Sequence, residues 1–141
     1  MDIQDAYCEY ATRWRDLSSL GSIFSVLGWD QQTKMPARGI QIRSEQVGVL
    51  SKLHHEMITA PDLGELIQRL FDAGPDRFDP ARWRNISESK RFFDRQARIP
   101  ARVVEEGASL RSRGQSIWEQ ARNENDFDTF APTLAALVAH Q

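Results

Sequence analysis

Helical spacing of the apolar residues runs through almost the whole chain and constrains its fold more than any other feature. In the first segment, apolar or small side chains recur every three or four residues, at Ile3, Tyr7, Tyr10, Trp14, Leu17, Gly21, Phe24 and Gly28. This is the period of one face of an α-helix. No stretch of four to eight residues alternates with the period of two that a strand would show. The pattern predicts an all-α protein of about six helices.

Prolines and small polar clusters set the predicted helix boundaries. The first helix is long, from about Asp2 to about Gln32, and must end before Pro36, because a proline disfavours helical backbone at the preceding residue. The second runs from about Ile40 to Ile58, with one apolar face made by Val47, Leu50, Leu53 and Met57. The other four are expected between about Leu63 and Ala73, Pro80 and Ala97, Pro100 and Ala121, and from about Phe130 to the terminus, with Pro132 in the first turn of the last.

Length and composition limit the class of protein. The chain has 141 residues, about one domain, so residues 1–141 are predicted to form a single helical segment. Its apolar runs are far shorter than the ~18 residues that cross a bilayer. Acidic Asp2 and Asp5 stand where a signal peptide would be basic, and a single cysteine, Cys8, excludes an internal disulfide. We therefore expect a cytoplasmic protein without a membrane partner.

The last predicted helix has an apolar side close to the terminus. Ala131, Leu134, Leu137 and Val138 lie on or near that side, and only three residues follow Val138. The pattern indicates a piece of a longer helical protein. We expect this side to be an exposed apolar patch that favours self-association.

The segment His54-His55-Glu56 contains half of a zinc-binding motif. Read from His55, the residues are His-Glu-Met-Ile-Thr, so Thr59 stands where the H-E-x-x-H motif has its second histidine. The remaining histidine, His140, is far away in sequence. We therefore predict no metal site here and interpret the two histidines as partly exposed residues near a helix C-terminus. Cys8, without a visible partner base, is interpreted as a small packed side chain.

A basic stretch runs from Arg77 to Arg102. It carries eight Arg or Lys residues against three Asp or Glu, whereas the whole chain has a net charge of −2. Four arginines share a face with Glu88, namely Arg84, Arg91, Arg95 and Arg98. An RNA-binding stripe is one interpretation, and a solvated face or a dock for the acidic remainder is favoured over it. We expect no nucleic-acid partner.

The most informative string is Trp29-Asp30-Gln31-Gln32-Thr33-Lys34-Met35-Pro36. It brings a large ring, a carboxylate and two amides to a helix end that a proline stops. From these residues alone, Trp29 is predicted to be a buried core anchor. Asp30 is predicted to accept hydrogen bonds from the next helix, with Arg43 as a candidate partner.

At this string the chain resembles the carboxypeptidase Taq family of metallocarboxypeptidases, whose N-terminal region carries a W-D-x-x-T-x-M-P signature. The resemblance continues in order along the chain through Arg43-Ser44-Glu45-Gln46, Leu53-His54-His55-Glu56, Ile99-Pro100, Val103-Val104-Glu105-Glu106, Trp118-Glu119-Gln120-Ala121-Arg122, Asn125-Asp126-Phe127 and Phe130-Ala131-Pro132-Thr133-Leu134. Lys34 stands where an aromatic or other apolar residue is common in the family.

The resemblance implies a bundle-like helical segment, the N-terminal quarter to third of an enzyme that removes C-terminal residues from peptides. Family members use zinc or cobalt, have a deep groove and commonly form homodimers. Their H-E-x-x-H motif has no counterpart here, so no catalytic, cofactor-binding or metal residue is assigned, and the chain alone is expected to bind no metal and to be inactive. The alternatives are a free-standing helical interaction module without catalysis and, more weakly, an RNA-binding helical domain that uses Arg84 to Arg102.

Overall fold

The computed structural model describes residues 2–140. Six α-helices and two short 3-10 turns follow one another, and the described residues contain no strand. The helices are α1 (Ile3–Thr33), α2 (Ile40–Ile58), α3 (Pro61–Asp72), α4 (Pro80–Gln96), α5 (Ala101–Glu124) and α6 (Phe127–Ala139), with the 3-10 turns at Ala37–Gly39 and Pro75–Arg77. This confirms the predicted all-α fold with a long first helix. No helix in the described part of the chain is both long and apolar enough to cross a membrane.

Local hydrogen bonding explains where the helices begin and end. Asp79 caps α4 by accepting from the Arg82 amide at 2.9 Å, and Pro80 takes the first helical position. At the end of α5, Asn125 adopts a left-handed conformation with φ of 53°, and the next amide, of Asp126, bonds back to the Ala121 carbonyl at 2.8 Å. The Asp126 side chain then caps α6.

The start of α6 differs from the prediction. The helix begins at Phe127, so Pro132 lies inside it and not in its first turn. The reason is the cap, since the Asp126 carboxylate accepts both the Thr129 amide at 3.3 Å and the Thr129 hydroxyl at 2.5 Å. Leu134 and Val138 are exposed on this helix, as the sequence predicts.

The chain forms two compact units. Unit 1 contains the residues up to Ser22 together with His54–Pro100, and unit 2 contains Ile23–Leu53 together with the residues from Ala101 onward. Helices α3 and α4 therefore belong to unit 1, and α5 and α6 to unit 2.

Unit 1 has a core of large apolar side chains. Helix α3 supplies Leu63, Leu66, Ile67 and Leu70, and all four are buried. Aromatic rings surround this core, and successive centroids along Phe78, Tyr7, Tyr10 and Trp14 lie 5.6 to 5.9 Å apart. Burial of such side chains is the main stabilising contribution to a unit of this size. The other buried members of the core are Ala6, Tyr10, Leu17, Ile58 and Ile86.

Cys8 lies outside this core. It is exposed, contrary to the prediction of a packed side chain. Ala6 and Tyr10 are the buried residues on this part of α1. Since successive helical residues are rotated by about 100°, position 8 faces away from both of them.

Unit 2 is built differently, because its buried residues are small. Helix α2 approaches α5 closely, and a Cβ on Gly48 would overlap the Ser109 hydroxyl. The Thr133 and Leu137 side chains of α6 pack closely against Gly114 of α5. The buried residues of the described part of this unit are Ser44, Gly48, Gly107, Ala108, Ser112, Gly114 and Ala121. The apolar face that the sequence predicts on α2 is covered only in part: Val47 and Leu50 are half-buried, whereas Leu53 and, in unit 1, Met57 are exposed.

An ion pair between α1 and α3 gives unit 1 a pH dependence. Arg13 Nη1 lies 2.6 Å from Asp62 Oδ2, and this hydrogen bond holds the pKa of the Asp62 carboxyl below its ordinary value of 3.8. A lowered folded-state pKa stabilises the fold above the unfolded-state pKa, and that stabilisation is lost as the pH falls through the folded-state value.

We therefore expect the free energy of unfolding to fall as the pH drops below about 4, and Asp62→Asn to flatten this part of the profile. Urea titrations at a series of pH values measure the free energy of unfolding of both proteins. Arg13→Gln should flatten the same region, since it removes the charge that lowers the Asp62 pKa. An Asp62→Asn profile with an unchanged slope would contradict the assignment.

Candidate functional site

The Trp29–Pro36 segment ends α1 in a network of polar contacts centred on Arg43. The Arg43 side chain is 13 % exposed and donates to Asp30 Oδ2 at 2.5 Å and to the Leu27 carbonyl at 2.6 Å. Its Nε also donates to Gln46 Oε1 at 3.2 Å. The predicted pairing of Asp30 with Arg43 is confirmed. A guanidinium with these three acceptors joins the end of α1 to the start of α2.

Three further hydrogen bonds join this end of α1 and the start of α2 to α5. The side-chain Nε2 of Gln31 donates to the Ser112 carbonyl at 3.0 Å, and the Ser112 hydroxyl donates to Gln31 Oε1 at 2.9 Å. The Ser109 hydroxyl donates to the Ser44 carbonyl at 3.0 Å. The motif side chains Asp30 and Gln31 are therefore hydrogen-bonded to α2 and α5, which makes the segment a positioning element of unit 2. Sequence reasoning missed Ser109 and Ser112, because serines that lie 65 and 81 residues from their partners leave no local pattern.

Trp29 does not belong to the interior, and the prediction that it is a buried anchor is wrong. Its side chain is 57 % exposed. The half-buried residues on this turn of α1 are Leu27, Gly28, Asp30 and Gln31. They share one side of the helix, so position 29 points in nearly the opposite direction.

Fluorescence quenching tests the exposure of Trp29. Trp29→Phe should lower the iodide-quenchable fraction of tryptophan emission more than Trp14→Phe does, since Trp14 packs half-buried against the core of unit 1. A larger loss in the Trp14→Phe variant would contradict the exposure.

His55 is a structural residue of unit 1. Its side chain is 4 % exposed, and its Nε2 lies 2.7 Å from the Ile99 carbonyl oxygen. The prediction that it is partly exposed is therefore wrong, because a partner 44 residues away buries it. Residues 2–140 contain no group of three His, Cys, Asp or Glu side chains that could hold a metal ion. The donor set around His55 and Glu56 does not fit a catalytic zinc site, which needs three protein ligands.

Ion pairs neutralise part of the basic face of α4. Lys90 pairs with Asp94, Arg91 with Glu88 at 3.3 Å, and Arg82 with Asp79 at 3.1 Å. The Arg82 guanidinium also lies 4.9 Å from the centre of the Tyr7 ring. These contacts favour a solvated, internally paired face. That this face lacks nucleic-acid affinity stays a prediction.

A groove of about 600 Å³ lies between α1 and α4 in unit 1. Aromatic side chains, among them Trp14 and Phe92, form its walls, with Arg95 beside them. The Tyr10 hydroxyl lies 2.7 Å from the Ser89 hydroxyl, and burial raises the Tyr10 pKa above its ordinary value of 10.0. The Tyr10 phenol is therefore neutral at physiological pH, and its hydroxyl is already hydrogen-bonded within the unit.

Comparisons with known proteins match nearly the whole chain. The model of the carboxypeptidase Taq (M32) metallopeptidase family matches residues 9–141. Thermostable carboxypeptidase 1 of Thermus thermophilus is 30 % identical over 141 residues, covering 99 % of this chain and 28 % of that protein. Thermostable carboxypeptidase 1 of Pyrococcus furiosus is 30 % identical over 135 residues, covering 90 % of this chain and 25 % of that protein.

Solved structures agree in fold. The crystal structure of BsuCP superposes with a TM-score of 0.92 at 24 % identity, covering 96 % of this chain and 27 % of that one. The M32 carboxypeptidase from Deinococcus radiodurans R1 superposes with a TM-score of 0.70 at 28 % identity, with the same coverage of 96 % and 27 %. The chain thus spans about a quarter of the length of the relatives it matches.

Proposed function

The chain belongs to the carboxypeptidase Taq (M32) metallopeptidase family, and on that premise we propose that it is the N-terminal helical part of a metal-dependent carboxypeptidase. The observation that carries the proposal is the family match, which extends over residues 9–141. The complete enzyme would remove C-terminal residues from peptides. We further propose that it is cytoplasmic and acts as a homodimer.

This segment contributes scaffold to the proposed enzyme. Its motif residues Asp30 and Arg43 position α1 and α2, and residues 2–140 hold no convergent set of metal ligands. The zinc or cobalt ligands would therefore be supplied by the part of the family fold that has no counterpart in these residues. A divalent metal held by those ligands would supply activation of water and polarisation of the scissile carbonyl.

A chimeric enzyme tests the proposal. In it, this chain replaces the matched 28 % of the Thermus thermophilus relative. We expect release of the C-terminal residue from an N-blocked dipeptide, lost on chelation and restored by zinc or cobalt. Two controls accompany it: the intact relative, and the relative from which the matched segment is deleted. A folded chimera that has no activity, beside an active parent, would contradict the proposal.

The isolated chain is predicted to be inactive and to bind no zinc stoichiometrically, because His55 stands without the second histidine of the motif and its Nε2 is bonded to a carbonyl. Peptidase assays and isothermal titration measure both. One zinc bound at submicromolar affinity and lost in His55→Ala would refute this.

An interaction module without catalysis is the second candidate. The exposed apolar side chains of α2, such as Ile42 and Val49, favour it, since such residues mark protein–protein contacts. The chimera separates the two candidates, because a pure interaction module would not support peptidase activity.

A further inference from the structure

Unit 2 buries small residues and exposes large ones. Its fully buried positions hold glycine, alanine or serine, whereas unit 1 buries leucine and isoleucine. Most of the large apolar side chains exposed in the described part of the molecule belong to unit 2, namely Ile23, Val26, Trp29, Ile42, Val49, Leu53, Trp118, Phe127, Leu134 and Val138. A unit with this distribution gains little from the hydrophobic effect while these faces remain in water.

Helix α2 shows most clearly that the small residues of unit 2 are buried and the large apolar ones exposed. Its inner side carries Ser44 and Gly48 against α5, where the close approach leaves no room for larger side chains. On the opposite side, Ile42, Val49 and Leu53 recur at seven and then four residues, which places them within about 20° of one line along the helix. They are 62 %, 61 % and 47 % exposed. We name these three residues the outer face of α2.

The outer face of α2 contains no basic residue. Gln46 lies one turn from both Ile42 and Val49, and the exposed carboxylates of Glu45 and Glu56 flank the face. An apolar helix face with acidic residues beside it fits the apolar surface of another protein segment, whereas a nucleic acid or an anionic lipid surface would need basic residues there.

We propose that the outer face of α2 is a docking surface for the part of an M32 chain that has no counterpart in these 141 residues. Two findings support this occupant. The segment superposes on the M32 carboxypeptidase from Deinococcus radiodurans R1 with a TM-score of 0.70 over 96 % of its length, so its exposed face belongs to that fold. That solved chain is matched over only 27 % of its length, which leaves nearly three quarters of an M32 fold to cover the face. The proposal rests on the proposed function, because both place this segment inside an M32 enzyme.

Thiol labelling of the isolated chain and of the Thermus thermophilus chimera tests the docking surface. Both proteins carry Cys8→Ser, since Cys8 is exposed and would react. The reporter is Val49→Cys, and the control is Ser44→Cys on the buried side of the same helix. Labelling is read peptide by peptide with mass spectrometry, so other thiols do not interfere.

In the isolated chain we expect position 49 to react rapidly and position 44 slowly. In the chimera both should react slowly, with position 49 about 100-fold slower than in the isolated chain, because labelling then requires local opening. Equal reactivity of position 49 in the isolated chain and in a folded chimera would overturn the proposal. So would a chimera that does not fold where its parent folds, since the face would then not fit its cover.

Two outcomes separate this inference from its alternatives. Protection of position 49 in the isolated chain that grows with protein concentration would assign the face to a second copy and overturn the proposed occupant. Protection of position 49 in a folded but inactive chimera would support the docking surface while the proposed function fails. An active chimera with a reactive position 49 would give the reverse result.

Discussion

Ile67→Ala is expected to lower the free energy of unfolding by about 2–5 kcal/mol, the usual range for a fully buried isoleucine cut to alanine. Ile67 is 0 % exposed and lies on α3, in the cluster that includes Leu63, Leu70 and Ile86. Removing its side-chain carbons loses the free energy of burial and leaves a cavity that the surrounding helices fill only in part. Urea denaturation followed by circular dichroism measures the change.

Ile42→Ala is the matched control, because it deletes the same atoms from the outer face of α2. Its expected effect is within about 0.5 kcal/mol, as for other surface substitutions. The contrast between the two isoleucines tests the distribution of stability between the units. Equal losses at positions 42 and 67 would contradict the described burial.

The two isoleucines also show how far sequence reasoning reaches. On α3, Leu63, Leu66, Ile67 and Leu70 recur with helical spacing, and the structure buries all four. On α2, the predicted apolar face of Val47, Leu50, Leu53 and Met57 is covered only in part, and Leu53 and Met57 are exposed. Apolar spacing identifies a face that some protein segment must cover, but not whether that segment belongs to the described residues.

Other features were invisible in the sequence for a different reason. Ser44 and Gly48 form the inner side of α2 because short side chains allow a close helix approach, and hydropathy gives small residues no signal. The buried His55 ring is hydrogen-bonded to the Ile99 carbonyl, and no local pattern predicts a contact between residues 44 positions apart. The pairing of Asp30 with Arg43 was predictable, since both flank a single proline-stopped turn and have complementary charge and geometry.

Arg43→Met is expected to lower the free energy of unfolding by about 3 kcal/mol. The substitution keeps much of the side-chain volume but removes the donors to Asp30, to the Leu27 carbonyl and to Gln46. A partly buried acceptor that loses its partner costs about 1–3 kcal/mol, and more where it is charged. Arg43→Lys should restore little, because one ammonium cannot reproduce the planar fork that reaches separate acceptors.

A double-mutant cycle with Asp30→Asn attributes this loss to the ion pair. If Asp30 and Arg43 act through each other, the double variant should lose less stability than the two single variants together, with a coupling energy of about 0.5–3 kcal/mol. Arg38→Met, at an exposed arginine in the neighbouring 3-10 turn, should change stability by about 0.5 kcal/mol or less. Additive single effects at positions 30 and 43, or an equal loss in Arg38→Met, would mean that the motif does not position α1 and α2 through this pair. The positioning would then rest on the other two acceptors of Arg43, the Leu27 carbonyl and Gln46 Oε1.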